Sequence, residues 1–185
     1  MSFRRLPTEI EGVVLIEPDV HGDERGFFVE TFRANAFASL GIEVEFVQEN
    51  HSRSGERVLR GIHLQRGQAK LVRCARGAIF DVAVDLRPDS PTYKRWEGYE
   101  LDDVTHRQLF IPNGFGHGFC VLSESADVLY RVSTYYDSDL ERGIAWDDPE
   151  VAVHWPISDP ILSERDQNAP SIADLAASGS GLGSG

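Results

Sequence analysis

The chain is short of cysteine, of positive charge and of long apolar stretches, and each shortage removes a class of function. Only two cysteines, Cys74 and Cys120, occur in 185 residues. That is too few for a disulfide-stapled secreted scaffold, and both sit in apolar, strand-like runs that suit buried free thiols. A reducing compartment, the cytoplasm, is therefore expected. Lysine and arginine total 18 against 30 aspartates and glutamates, a formal net charge of −12, which repels polyanions and argues against nucleic acid as a partner. An anionic small molecule would need a local basic site. No run of eighteen apolar residues occurs, and Glu9 and Glu11 interrupt the stretch after Arg4 and Arg5 where a signal peptide would carry its apolar core. Neither a membrane span nor a secretion signal is expected.

What is present suits one domain: 41% of the residues are hydrophobic, enough to bury a core without disulfides or metals. We assign residues 1–177 to that domain and 178–185, rich in glycine and serine, to a flexible tail. Apolar residues alternate with others in short runs at 12–17, 26–32, 44–50, 57–64, 69–75, 78–86, 94–101, 107–112, 117–122 and 126–134, which predicts ten strands and an all-β sandwich or barrel. Between Ile79 and Leu86, alternation puts Phe80, Val82, Val84 and Leu86 on one face and Asp81 and Asp85 on the other. A short helix is predicted at 34–40, closed by Gly41, and a second near 171–177. Turn chemistry falls at 22–26, 76–77, 88–91 and 112–114.

Polar residues occupy positions that alternation turns inward. Gln48 and Asn50 share the parity of Phe46, and His63 and Gln65 share that of Leu59. A polar interior implies a ligand cavity; a strand phased the other way would instead put Gln48 and Asn50 in solvent. The segments Leu59-Arg60-Gly61-Ile62-His63-Leu64-Gln65 and Ile111 to Phe119, containing His117, resemble the histidine-bearing strands of a cupin. Metal-binding cupins use two histidines one residue apart, a carboxylate and a later histidine. Gln65 stands where the second histidine would be and an amide oxygen is a poor transition-metal ligand, so no catalytic metal is expected. Taken singly, each histidine is more often a hydrogen-bonded structural residue than a catalyst.

Further matches make the resemblance specific. Asp23-Glu24-Arg25-Gly26-Phe27-Phe28 with Glu30, Gln48-Glu49-Asn50, Val58 to His63, Gln68-Ala69-Lys70, Phe80 to Arg87 and Ile111 to Gly118 occur in order. They are followed by Tyr130, Tyr136, Glu141-Arg142-Gly143-Ile144, Trp146-Asp147-Asp148-Pro149 and Leu162-Ser163-Glu164-Arg165-Asp166. Over residues 10–170 the chain is similar to the dTDP-4-dehydrorhamnose 3,5-epimerases, cupin-type enzymes of nucleotide-sugar metabolism. The resemblance implies a double-sheet jelly-roll barrel with one or two short helices, a homodimer, no cofactor, and inversion of C3 and C5 of dTDP-4-dehydro-6-deoxy-D-glucose.

Carried over position by position, the resemblance makes His63 the base, Asp166 its hydrogen-bonded support, Lys70 the donor to the developing enolate oxygen and Tyr130 the acid on the opposite face. The chemistry fits: a neutral imidazole takes a carbon-bound proton near pH 7, a fixed cation holds the oxyanion, and inversion requires a second proton source. Arg25, Arg60 and Arg165 would hold the diphosphate, since guanidinium groups match phosphate oxygens with paired hydrogen bonds. Phe27, Phe28 and Tyr136 are candidates for stacking on the base or shaping the sugar pocket. Glu30, Gln48, Asn50, His117 and Glu141 match substrate-lining positions. Alternation turns Arg60 away from His63; a bulge at Gly61 would reconcile the two, as would a role for Arg60 in a neighbouring subunit. Three rival functions follow from the same residues: a monoepimerase of a related nucleotide 4-keto-sugar, a metal-dependent cupin oxygenase, and a non-catalytic sugar-nucleotide binding protein.

Overall fold

The computed structural model describes residues 2–178, so the tail predicted at 178–185 lies, apart from Ser178, outside the described residues. Two antiparallel sheets face each other. One runs in the order β1 (Phe3–Leu6), β2 (Val14–Pro18), β10 (Gln108–Ile111), β7 (Lys70–Arg76), β12 (Ser125–Val132), β5 (Gln48–Gly55). The other runs β13 (Glu141–Gly143), β6 (Leu59–Gln65), β11 (Phe115–Val121), β8 (Ala78–Asp85), β9 (Trp96–Asp102). A separate hairpin pairs β3 (Val20–Asp23) with β4 (Gly26–Val29). This is the expected double-sheet cupin arrangement, but the sheets stay open at their edges and do not close into a hydrogen-bonded barrel.

Strands in the middle of each sheet bury both faces, because a third and a fourth layer cover the outside. Between the sheets, Leu15, Val72 and Val128 meet Ile79, Leu101 and Val121. Outside the five-stranded sheet, Ile144, Val151 and Ile172 from the C-terminal segment pack on Ile62, Val82 and Val84. Outside the six-stranded sheet, Phe37 and Ile42 cover Val14, Ile16, Leu71 and Phe110. Each such side chain contributes roughly 1.5–3 kcal/mol by leaving water. The alternation predicted for β8 is thus correct, with a twist: Val82 and Val84 face the outer layer, while Asp81 and Asp85 are also fully buried, on the opposite face.

Helix α1 (Ala34–Ser39) ends where Gly41 was expected to close it. Gly41 adopts φ +89°, its N–H bonds to the Ala38 carbonyl and that of Ile42 to the Phe37 carbonyl, each at 3.0 Å. This is a Schellman closure with its apolar contact supplied by Ile42 and Phe37. Helix α3 (Ile172–Ala177) carries a capping box between Ser171 and Asp174.

Three expectations need correction. Among the described residues there are thirteen strands, not ten; the polar residues of Phe3–Leu6, Val20–Asp23 and Glu141–Gly143 hide any apolar alternation in β1, β3 and β13. The strand expected at 44–50 is β5, Gln48–Gly55. Phe46 precedes that strand and packs with Phe32 near α1 (ring centroids 5.7 Å), so it was a false anchor for the parity of Gln48 and Asn50 even though their inward direction is right.

Candidate active site

The space between the sheets is apolar at one end and polar at the other. The polar end is a cavity of about 310 Å³, within the range of small-ligand sites. β5 contributes Gln48, Asn50 and Ser52; β6 contributes Arg60, His63 and Gln65; β7 contributes Lys70, β11 His117 and β12 Tyr130. Tyr136, Glu141, Ser163, Arg165 and Asp166 close the mouth.

A bulge settles how Arg60 and His63 share this cavity. β6 pairs His63 with His117 but Arg60 with Phe119, so three steps on β6 oppose two on β11. Gly61 supplies the extra residue at φ +131°, where a Cβ would lie 2.5 Å from the Gly118 Cα. The insertion turns both side chains inward, and Arg60 Nε donates to Ser54 Oγ at 3.0 Å.

His63 is a quarter exposed, and its Nε2 lies 2.5 Å from Asp166 Oδ1. That carboxylate comes from a distant segment brought in by local pairing: Leu59 N–H bonds to the Ile161 carbonyl at 3.0 Å, and Ile161 N–H to the Arg57 carbonyl at 2.9 Å. The chain then enters helix α2 (Glu164–Gln167), whose N-cap Ser163 Oγ accepts from the Asp166 N–H at 3.1 Å. Burial pushes the Asp166 carboxyl up, but the hydrogen bond and charge of His63 and the bond to Ser163 outweigh it, leaving it below its ordinary value. Asp166 therefore stays ionised behind the imidazole. With Nε2 held, Nδ1 keeps the lone pair.

Lys70 occupies an inward position of β7, in step with Val72 and Cys74 of the core. Its Nζ donates to the His63 carbonyl at 3.3 Å. Burial lowers its pKa to about 8, against the opposing pull of Glu141 and Asp81. Tyr130 lies opposite Asn50 in the sheet. Burial and then Glu141 raise its phenol above the ordinary value, with Arg60 and a hydrogen bond to Asn50 opposing, so the phenol holds its proton. Glu141 accepts from Tyr136 Oη at 2.9 Å and Arg165 Nη1 at 2.8 Å. Gln48 accepts from the Tyr136 N–H at 3.1 Å and donates to Asn50 at 2.9 Å.

His117 has its own carboxylate, Asp81 Oδ1 at 2.8 Å, and burial keeps the imidazole below its ordinary pKa despite that partner. Asp81 was passed over in the sequence as a strand residue; the clue was its inward parity within an apolar run. Ser52 was missed too, although it continues the parity of Gln48 and Asn50. Gln65, at the position of the absent metal ligand, is committed elsewhere: its amide donates to Thr134 Oγ1 at 3.0 Å and the Tyr135 carbonyl at 2.8 Å and accepts from the Asp137 N–H at 2.9 Å. It secures the 134–137 loop.

Arg25, Phe28 and Glu30 do not line the cavity. Arg25 pairs with Asp23 in the hairpin turn, Phe28 is 60% exposed, and Glu30 pairs with Arg33 at 3.5 Å. Cys74 and Cys120 are free and buried, as expected, and burial pushes their thiols up to about 12 and about 11. Among the described residues no helix is long and apolar enough to cross a membrane.

These features have counterparts in known proteins. A family profile described as dTDP-4-dehydrorhamnose 3,5-epimerase matches residues 7–174. A protein of that name from Shigella flexneri is 49% identical over 173 residues, 91% of this chain and 96% of its own. A dTDP-4-dehydrorhamnose 3-epimerase from Streptomyces niveus is 45% identical over 181 residues, 96% of this chain and 87% of its own. The crystal structure of the Legionella pneumophila epimerase RmlC, solved with dTDP-4-keto-L-rhamnose, superposes with a TM-score of 0.91 at 43% identity, covering 95% of this chain and 96% of that one. Fold, cavity and sequence agree: the chain is an epimerase and belongs to the dTDP-4-dehydrorhamnose 3,5-epimerase family.

Proposed function

We propose that this epimerase inverts C3 and C5 of dTDP-4-dehydro-6-deoxy-D-glucose with His63 as base and Tyr130 as acid, giving dTDP-4-dehydro-L-rhamnose. The observation that carries the assignment is the His63–Asp166 pair at 2.5 Å in a cavity shared with Lys70 and Tyr130. At each carbon, His63 takes the proton beside the ketone and the bond electrons move into the C4 carbonyl, forming an enolate. Asp166 stabilises the imidazolium, and Lys70 places a cation by the enolate oxygen. Tyr130 then delivers a proton to the opposite face, which inverts the centre, and solvent takes the proton from His63 and returns one to Tyr130 before the second carbon reacts. No oxidant or reductant is consumed. Gln48, Asn50, His117, Tyr136 and Glu141 position the sugar, while Arg60 and Arg165 form the basic patch that a chain of charge −12 needs for a diphosphate.

The chain acts as a homodimer in this reading, and Arg25, Phe28 and Glu30 serve the partner's cavity. Phe28, 60% exposed on a hairpin that lines no part of its own cavity, supports this. Two buried free thiols favour the cytoplasm as its location.

Incubation of the 4-keto-6-deoxy-glucose nucleotide in deuterated water, followed by NMR, tests the reaction. Deuterium at both C3 and C5 is expected. The 45% identical Streptomyces niveus protein, named as a 3-epimerase, favours a second reading, inversion at C3 alone, and label confined to C3 would select it.

A further inference from the structure

We propose that His106 is a positioning residue for nucleotide binding, acting through a stack on Phe27 that sets the angle of the β3–β4 hairpin. The inference rests on the hairpin reading above and adds what holds the hairpin in place. Among the described residues, β3 and β4 pair in sheet fashion only with each other, and a lone two-stranded hairpin is marginally stable in water. Its entry is held at Asp19, whose N–H donates to the Ser2 carbonyl at 3.0 Å and whose carboxylate accepts from Ser2 Oγ at 2.6 Å, and three consecutive residues elsewhere add further anchors. Arg107 Nε donates to Glu17 Oε2 at 2.7 Å, just before the hairpin begins. Gln108, almost fully buried, donates through Nε2 to the Thr31 carbonyl at 2.7 Å, just after it ends. His106 holds the face between: its ring centroid is 4.5 Å from that of Phe27, tilted by 40°.

His106 is itself held firmly. Only 3% of its surface is exposed, and its backbone sits at φ +53°, in the left-handed region where asparagine, aspartate and histidine are the favoured residues after glycine. Asp102 fixes that turn: its Oδ1 accepts from the N–H groups of Val104 at 2.9 Å and Thr105 at 2.6 Å, and its carbonyl accepts from the His106 N–H at 3.2 Å. Asp103 Oδ2 ties the turn to Gly77 N–H at 2.8 Å. Among the described residues Nδ1 of His106 finds no hydrogen-bond partner, while its ring face lies against Phe27. Strand alternation completes the argument: Phe27 and Val29 share one side of β4 and Phe28 points to the other. Phe27 is thus the foothold on its own subunit, and Phe28 is free to meet a ligand.

The test measures dTDP binding and steady-state kinetics in full-length variants. His106→Asn, which tolerates the left-handed turn but loses the ring, and Phe27→Leu should each raise the Kd for dTDP and the KM about fivefold with kcat unchanged, the scale of one aromatic stack. Phe27→Tyr, which keeps the ring at an ordinary strand position, should leave both at the parental value. The double variant should be no worse than either single one. If Arg25→Ala weakens dTDP binding while His106→Asn and Phe27→Leu bind as the parent does, the hairpin reading stands and the positioning role is refuted. Parental affinity in both Arg25→Ala and Phe28→Ala would instead remove the hairpin reading, and the proposal with it.

Discussion

Lys70 shows what a single buried charge does in this cavity. It is charged below about pH 8 because burial draws its pKa down to that value. Raising the pH through 8 removes the proton, and with it the cation proposed to hold the enolate oxygen. The alkaline limb of the kcat/KM profile should therefore fall near pH 8, well below where an exposed lysine would place it. Lys70→Met should lower kcat by about 10²- to 10³-fold, the usual loss for an oxyanion donor, while thermal stability holds or rises, because a buried ammonium is costly to desolvate. A folded methionine variant within tenfold of the parent rate would deny Lys70 its role. In the proposed mechanism Asp166 acts through His63. Asp166→Asn preserves its shape but not its charge, so deuterium exchange at both carbons should slow together by about 10²-fold or more; slowing at one carbon only would show that the two inversions use different bases.

At the scale of the element, the bulge in β6 is the feature on which both Arg60 and His63 depend. Gly61→Ala would set a Cβ 2.5 Å from the Gly118 Cα and 2.9 Å from the His117 carbonyl oxygen. Backbone lines both contacts, so neither can move aside. The variant should lose roughly 3 kcal/mol or more in chemical denaturation, and kcat/KM should fall by about 10²-fold as the base is displaced. Parental stability and rate would mean the bulge does not need its glycine. The turn after β8 has a comparable anchor in Asp85. Burial alone would raise its carboxyl, but bonds from Arg87, Ser90 and Thr92 outweigh it and hold the pKa at about 2, against an ordinary 3.8. A depressed carboxyl stabilises the fold above its unfolded pKa and loses that contribution as pH falls through the folded one. Asp85 should thus contribute about 2 kcal/mol above pH 4, lost between roughly pH 4 and pH 2. Asp85→Asn should lower stability at pH 7 and flatten the acid limb of the unfolding curve; an unchanged limb would assign acid sensitivity to other carboxylates. Much of this was legible in the sequence, but unevenly. The long strands β8 and β12 declared themselves through alternation, and Gly41 marked the end of α1. Asp166 was not readable from its own surroundings: α2 is four residues long, and the pairing of Ile161 with Arg57 and Leu59 that delivers it is a tertiary event. The two inward side chains of β6 defeated alternation because a bulge resets the period, and only Gly61 hinted at it.

For the molecule as a whole, an acidic protein gathers Arg60, Lys70 and Arg165 at one cavity, yet Arg25 stands apart from it. The proposed remedy, exchange of hairpins between subunits, predicts something that no single-subunit arrangement does. In an Arg25→Ala homodimer every site lacks a phosphate contact, and in a His63→Asn homodimer every site lacks its base, so each should be severely impaired at substrate concentrations below KM. When the two are mixed and allowed to exchange subunits, about half of the dimers become mixed. In each mixed dimer, the Arg25→Ala subunit retains its own His63 and receives an intact Arg25 from its partner. One site of the two is then complete, and activity should return to about a quarter of the parental value. If the hairpin served its own subunit, the same mixture would contain no complete site, because the subunit with the base would lack the arginine and the subunit with the arginine would lack the base. Absence of recovery, with subunit exchange verified by mass spectrometry of the intact dimers, would therefore place Arg25 outside the partner's site, whereas a quarter-level return could arise only across the interface.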